Sequence, residues 1–264
     1  MSAMDRGTGS AALLTVSRGM QVLRSFRSAR APMSNSDLVR VTGLSKATVS
    51  RLTSTMLQLG FLQHVRGGRN FELAAGPLGI GHAFVAGSEL LQAAGPSMQD
   101  LADRLGVAVA LAIADGLDMI YVAYRASDKV ATLRLGVGSV LPMGTTSIGH
   151  AYLWAQPEVQ RANLISQLRR AAGERERSML HGIKESFSEM ERSGVCKVLG
   201  GYQRDAYGVA VPIHVGRRHT VMGLSCGKAD VQPDLAAEIK RIAPPLKNAA
   251  AWLEERLADF DGEP

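Results

Sequence analysis

The sequence predicts an α+β chain of two unlike domains: an N-terminal winged helix-turn-helix, then a larger domain of antiparallel strands with flanking helices. Three observations predict it. Two short amphipathic segments meet at Thr42-Gly43-Leu44 within residues 36–62, SDLVRVTGLSKATVSRLTSTMLQLGFL. Residues 1–75 hold 10 Lys or Arg against 3 Asp or Glu, whereas residues 76–264 hold 20 against 21. From residue 107 the apolar period switches from that of a helix to that of strands.

The first 12 residues, small and polar, are expected to form a disordered tail. Thr15 or Ser17 can cap a first helix, with Val16, Met20, Val22, Leu23 and Phe26 apolar, that ends before Ala31-Pro32. Ser34 or Asn35 starts a second helix, which Gly43 ends as a C-terminal glycine does. Ser45 caps a third, over residues 46–59. At roughly 100° per residue, Val49, Leu52, Thr53, Met56, Leu59 and Gly60 share one side, with Ala47, Ser50, Arg51, Ser54 and Gln58 opposite. Residues 61–65 and 70–73 then alternate as two short strands joined by Arg66-Gly67-Gly68-Arg69, a glycine hairpin turn. A hairpin placed there is a wing, so the winged-helix domain spans 13–75.

Residues 76–90 read as a helical linker, and the second domain as 91–260. Strands are expected at 107–114, 117–125, 129–135, 195–199, 208–215 and 220–226. Helices are expected at 146–155, 156–171, 174–192 and 233–257, and the turns at Asp115-Gly116 and Gly216-Arg217-Arg218 join antiparallel neighbours.

At 264 residues with 46% hydrophobic content, the chain can bury two cores. It carries no run of 18 apolar residues, so no membrane span is expected. MSAMDRGTGS lacks a signal layout, and Cys196 and Cys226 form no CxxC, which points to a reducing, cytoplasmic compartment. Confinement of the basic excess to one quarter of the chain points to a polyanion partner for that module alone.

The third helix concentrates donors at its start: Ser45, Lys46, Thr48, Ser50, Arg51 and Ser54. This is the part of a recognition helix that enters the major groove of double-stranded DNA. Lys46 and Arg51 suit phosphates, and Thr48, Ser50 and Ser54 suit base edges. Arg66 and Arg69 at the wing tip suit the backbone or minor groove. A two-fold dimer with such helices implies an inverted-repeat operator.

Other constellations are weaker. Gly223-Leu224-Ser225-Cys226-Gly227 matches GxSxG, but a nucleophile elbow needs a strand-turn-helix and a downstream histidine, and none follows His219. Cys226 reads as a structural thiol, and the six histidines show no metal spacing. Gly136-Val137-Gly138-Ser139 lacks the lysine of a phosphate loop and reads as a turn. No cofactor, metal or catalytic residue is expected. The competing class is an enzyme of small-molecule metabolism carrying a winged-helix module.

Over roughly residues 15–257 the chain resembles the IclR family of bacterial transcriptional regulators. TVSRGMQVLRSF is similar to its opening helix, TGLSKATVSRLTSTMLQLGFL to its helix-turn-helix, and GTTSIGHAYLWA to the turn beside its effector pocket. GVAVPI and VMGLSCG are similar to its paired C-terminal strands. The resemblance implies a GAF-like effector domain, a homodimer or tetramer, and a regulator, expected to be a repressor, released or modulated by a small organic effector. It places the effector on backbone amides at Ser147 and Ile148, beside Leu141 and Met143, with Gly208, Leu224 and Cys226 on the late strands. Since Gly208 and Leu224 offer no polar group, it disfavours a tiny carboxylate and favours a larger organic or aromatic acid or a more apolar compound. His150, where a lysine is usual, is expected to add a titratable group near the pocket.

Overall fold

The computed structural model describes residues 5–29, 31–130, 135–230 and 232–260, with the side chains of 5–12 and 28–29 outside that description. The chain forms two units, Met1–Phe84 and Val85–Pro264.

In the first unit, helix α1 (Asp5–Ala29) is followed by α2 (Asn35–Thr42) and α3 (Lys46–Gln58). The backbone is helical from Asp5, so the expected tail is corrected over 5–12, while residues 1–4 lie outside the described set. The run Ala11-Ala12-Leu13-Leu14 consists of strong helix formers, which carries the helix past the caps expected at Thr15 or Ser17. Val22 and Phe26 are buried, but Val16 and Met20 are 62% and 55% exposed, a second departure. Helix α2 begins with a capping box in which Ser34 Oγ accepts from Asp37 N and the Asp37 carboxylate accepts from Ser34 N. Gly43 closes it at φ 70°, donating to Val39 O. The core joins Val22, Phe26, Leu38, Val49 and Met56 to Leu62 and Phe71 of the hairpin.

That hairpin pairs β1 (Leu62–His64) with β2 (Phe71–Leu73), Gln63 facing Glu72. Met33 adds a third rung, its N–H and carbonyl both bonded to Phe71. Helix α4 (Gly76–Gly87) runs from the first unit into the second, starting so close to α3 that a Cβ on Gly76 would stand 2.7 Å from Gly60 O.

The second unit begins with α5 (Glu89–Leu105), then β3 (Ala108–Asp115), β4 (Asp118–Ala126) and the short β5 (Val140–Pro142). A 3-10 turn (Met143–Thr145) precedes α6 (Ser147–Ala155). Then come α7 (Glu158–Ala172), α8 (Glu176–Ser193), β6 (Cys196–Leu199), β7 (Ala206–Val215), β8 (Thr220–Ala229) and α9 (Leu235–Arg256). The expected strand at 129–135 falls largely on residues 131–134, outside the described set. The antiparallel sheet has the order β5-β4-β3-β8-β7-β6. One face packs on α5 and α9 through Val109, Leu111, Val209, Val211, Met222, Leu224 and Cys226. The other packs on α6, α7 and α8 through Ala110, Ala112, Met119, Tyr121 and Ala210. Alternation along each strand assigns these sets to opposite faces.

Candidate DNA interface and effector pocket

Ser45 caps α3, its hydroxyl accepting from Thr48 N at 3.2 Å and sharing a 2.9 Å hydrogen bond with Thr48 Oγ1. Thr48 is half-buried and its hydroxyl is engaged with Ser45. Val49, Thr53 and Met56 are buried. Thr53 satisfies its hydroxyl on Val49 O at 3.0 Å. Lys46, Ser50, Arg51 and Ser54 are exposed on the opposite side, and among the described residues their side chains make no hydrogen bond or ion pair. Leu59, expected on the packed side, is 65% exposed because α3 ends at Gln58 and Leu59 occupies the cap.

The wing tip turns at residues 65–68, with Gly68 N donating to Val65 O at 2.9 Å and Gly67 at φ 75°. The positive φ suits glycine and lets the turn stay tight. It leaves Arg66 and Arg69 exposed without ion-pair partners among the described residues. His64 lies over Phe71, ring centroids 5.0 Å apart.

In the second unit α6 lies directly on small residues of the sheet. A Cβ on Gly208 would stand 2.5 Å from Ser147 Oγ, and one on Gly223 would stand 2.5 Å from Ile148 Cγ1. Thr146 caps α6 by accepting from Gly149 N, and the backbone ladder begins with His150 N donating to Thr146 O. The amides of Ser147 and Ile148 thus precede the ladder, as the first amides of any helix do. Leu141, Met143 and Ile148 are all buried in the core on this face.

Leu224 and Cys226 are elsewhere. Both are fully buried on the α5 and α9 face, so their assignment to the effector site is corrected. The register aligns Ala110 with Ser225 and Ala112 with Gly223, so Gly223 and Ser225 are the β8 residues beside α6. Sequence reasoning missed them because the family's late-strand positions were carried onto Leu224 and Cys226, and a shift of one residue along a strand moves a side chain to the other face. Burial pushes the Cys226 thiol up to about 12, keeping it an inert thiol. Ser225 lies inside an uninterrupted strand, so the geometry of a nucleophile elbow is absent.

Sequence reasoning also missed a tyrosine cluster. The β3–β4 register slips between Leu111, opposite Ala123, and Ala112, opposite Tyr121. The bulge turns Val122 and Ala123 both toward α5, which restores Tyr124 to the face of Tyr121. Their rings stack with centroids 6.2 Å apart. Ser225 and Tyr202 lie near enough to the Tyr121 hydroxyl to perturb it, and burial drives that phenol well above the ordinary value.

His150 is 1% exposed, with Nε2 bonded to Gly144 O at 2.9 Å. Burial lowers its pKa to about 4, so it stays neutral near pH 7, contrary to the titration expected of it. His214 is exposed and faces Glu254. Among the described residues, no cluster of His, Cys, Asp and Glu suits a metal and no helix is long and apolar enough to cross a membrane. A groove of about 1240 Å³ opens beyond α6, between α8, β6 and the 3-10 turn, and none of the seven effector positions named above lines it.

Comparison with known proteins covers both units. The IclR helix-turn-helix domain matches residues 15–66, and the bacterial transcriptional regulator IclR C-terminal domain matches residues 82–254. The chain is 30% identical over 261 residues to the HTH-type transcriptional regulator TsaQ1/TsaQ2 of Comamonas testosteroni, covering 91% of this chain and 93% of that protein. The crystal structure of an IclR family transcriptional regulator from Brucella abortus aligns with a TM-score of 0.83 at 32% identity, over 92% of this chain and 91% of the other. An IclR homolog from Microbacterium hydrocarbonoxydans, solved with 4-hydroxybenzoate, shares the fold with a TM-score of 0.62 at 21% identity, over 92% and 98%. With both domains matched, and with a free basic helix face in one unit and an α+β domain of the effector-binding type in the other, the chain belongs to the IclR family and is a ligand-responsive, DNA-binding transcription regulator.

Proposed function

We propose that the protein is a cytoplasmic repressor that binds an inverted-repeat operator as a homodimer or dimer of dimers and is released by an organic acid. The observation that carries this reading is the unpaired face of α3. Lys46 and Arg51 contact phosphates, and Ser50 and Ser54 reach base edges. Ser45 and Thr48 hold the helix start, where their shared hydroxyls and the first amides face the backbone. Arg66 and Arg69 extend the footprint to the flanking phosphates.

Dimerisation is supported by α4, which has no buried residue although Leu78, Ile80 and Phe84 are 75%, 61% and 43% exposed. An apolar helix left so bare in one chain calls for a second copy. Leu13, Val16 and Met20 of α1 add to the apolar surface of the same unit.

The effector binds where α6 meets the sheet. Its acid group lies on the amides of Ser147 and Ile148 at the positive end of the helix. Its body lies against Leu141, Met143, Tyr121 and the small residues Gly208, Gly223 and Ser225. Stacked Tyr121 and Tyr124 favour an aromatic ring, and the Microbacterium protein was solved with an aromatic acid, 4-hydroxybenzoate. Effector entry moves Ile148 and Met143 off the strands, which shifts α6 and, through it, the state of the dimer. An enzymatic role has no support in the relatives, which are transcriptional regulators.

Gel retardation of DNA flanking its own coding region, with and without aromatic acids first found by thermal shift, tests the reading. The expected result is specific retardation that a hit abolishes. Equal retardation of a scrambled duplex overturns it.

A further inference from the structure

The groove beyond α6 carries features that the effector reading leaves unused. His150 forms part of its floor, and its Nδ1 is fully buried and without a partner among the described residues. The ring donates from Nε2 to Gly144 O, so in the neutral form Nδ1 is an acceptor. On the α8 side the buried ring edge is covered only by a residue without a side chain: a Cβ on Gly182 would stand 4.0 Å from His150 Cε1, the atom bonded to Nδ1. A second buried acceptor, Glu189 Oε1, is likewise unpartnered in the same groove. Its other oxygen is held by Arg192 at 2.5 Å and Lys197 at 3.1 Å.

Buried acceptors without partners cost free energy, and groups that lie in a groove recover it when a donor arrives. The rim adds charge. Glu185 faces His181 at 3.4 Å, which leaves Arg175 and Lys184 as lining cations without an ion pair among the described residues. Lys184 on α8 and Arg175 just before it both line the groove with Gly182, within roughly 10 Å of it at 1.5 Å per helical residue.

We propose that this groove is a second small-molecule site, distinct from the effector pocket, for a polyhydroxylated organic anion. The carboxylate or phosphate of such a ligand meets Lys184 or Arg175, and a hydroxyl donates into His150 Nδ1 across the gap that Gly182 leaves. A second hydroxyl reaches Glu189 Oε1. An apolar acid satisfies the cations but strands both acceptors, and a neutral polyol satisfies the acceptors without the charge. The site therefore selects for both features on one molecule.

Isothermal titration of the full-length protein with gluconate, hexanoate and sorbitol tests it. Gluconate is expected to bind at least roughly tenfold more tightly than either control. Arg175→Ala and Lys184→Ala, both on exposed side chains, should each weaken gluconate about tenfold. Gly182→Ser puts a hydroxyl over Nδ1; it should raise the unfolding temperature and weaken gluconate together, which a purely structural role for His150 does not predict. Tyr121→Phe alters the effector pocket and should leave gluconate affinity unchanged. No binding of gluconate, equal binding of hexanoate, or indifference to the α8 variants overturns the proposal. Loss in Tyr121→Phe alone places gluconate in the effector pocket and overturns it as well.

Discussion

Gly208 on β7 lies directly beneath Ser147 at the start of α6, so close that a Cβ would stand 2.5 Å from the serine Oγ. Gly208→Ala therefore turns the Ser147 side chain away and disturbs the first amides of α6. The effector concentration giving half release from the operator should rise about tenfold, with operator affinity unchanged in its absence. Release curves followed by fluorescence anisotropy check it; an unchanged curve removes Ser147 from the site.

Leu224 gives the opposite pattern because it is fully buried against α5 and α9. Leu224→Ala leaves a cavity in that core and should cost about 2–5 kcal/mol of stability. Effector affinity of the protein that remains folded should match the parent. Denaturant unfolding and ligand titration on one preparation separate the two effects.

Arg51 is exposed on α3 without an ion pair among the described residues, so Arg51→Ala should leave thermal unfolding unchanged. Operator affinity should fall about tenfold, and the slope of log affinity against log salt should fall by about 1. A parent-like slope means that Arg51 touches no phosphate.

His150 makes stability depend on pH. Its folded pKa of about 4 lies below the ordinary histidine value of 6.5, so the unfolded chain binds the extra proton first. Its contribution is full above pH 6.5, is lost as pH falls toward 4, and is level below that. His150→Asn should flatten that window in urea midpoints measured from pH 7 to 4.

Asp37 acts lower on the scale. Hydrogen bonds from the Ser34 side chain and backbone, then from Arg40, hold its pKa at about 2. The α2 cap should persist as pH falls through 4 and weaken near 2. In Ser34→Ala, a carboxyl titration followed by NMR should move back toward the ordinary aspartate value.

Sequence alone determined the local pieces. Ser45, Gly43 and the hairpin glycines fix where α2, α3 and the wing begin and end, because capping and positive φ are properties of a few consecutive residues. The charge asymmetry marks the polyanion-binding module without any coordinates. The strand runs and their antiparallel turns were also legible, since alternation shows in the side chains themselves.

Only the tertiary structure decided which face of each strand meets which layer. Along β8 the two alternating sets, Met222-Leu224-Cys226 and Gly223-Ser225, both avoid charge, because the sheet is covered on both sides. Period two separates the sets but does not say which one lies under α6. The bulge opposite Leu111 is invisible in sequence for the same reason, yet it alone places Tyr124 beside Tyr121. The approach of Gly182 to the His150 ring depends on packing across 32 residues of chain, and no local pattern carries that pairing.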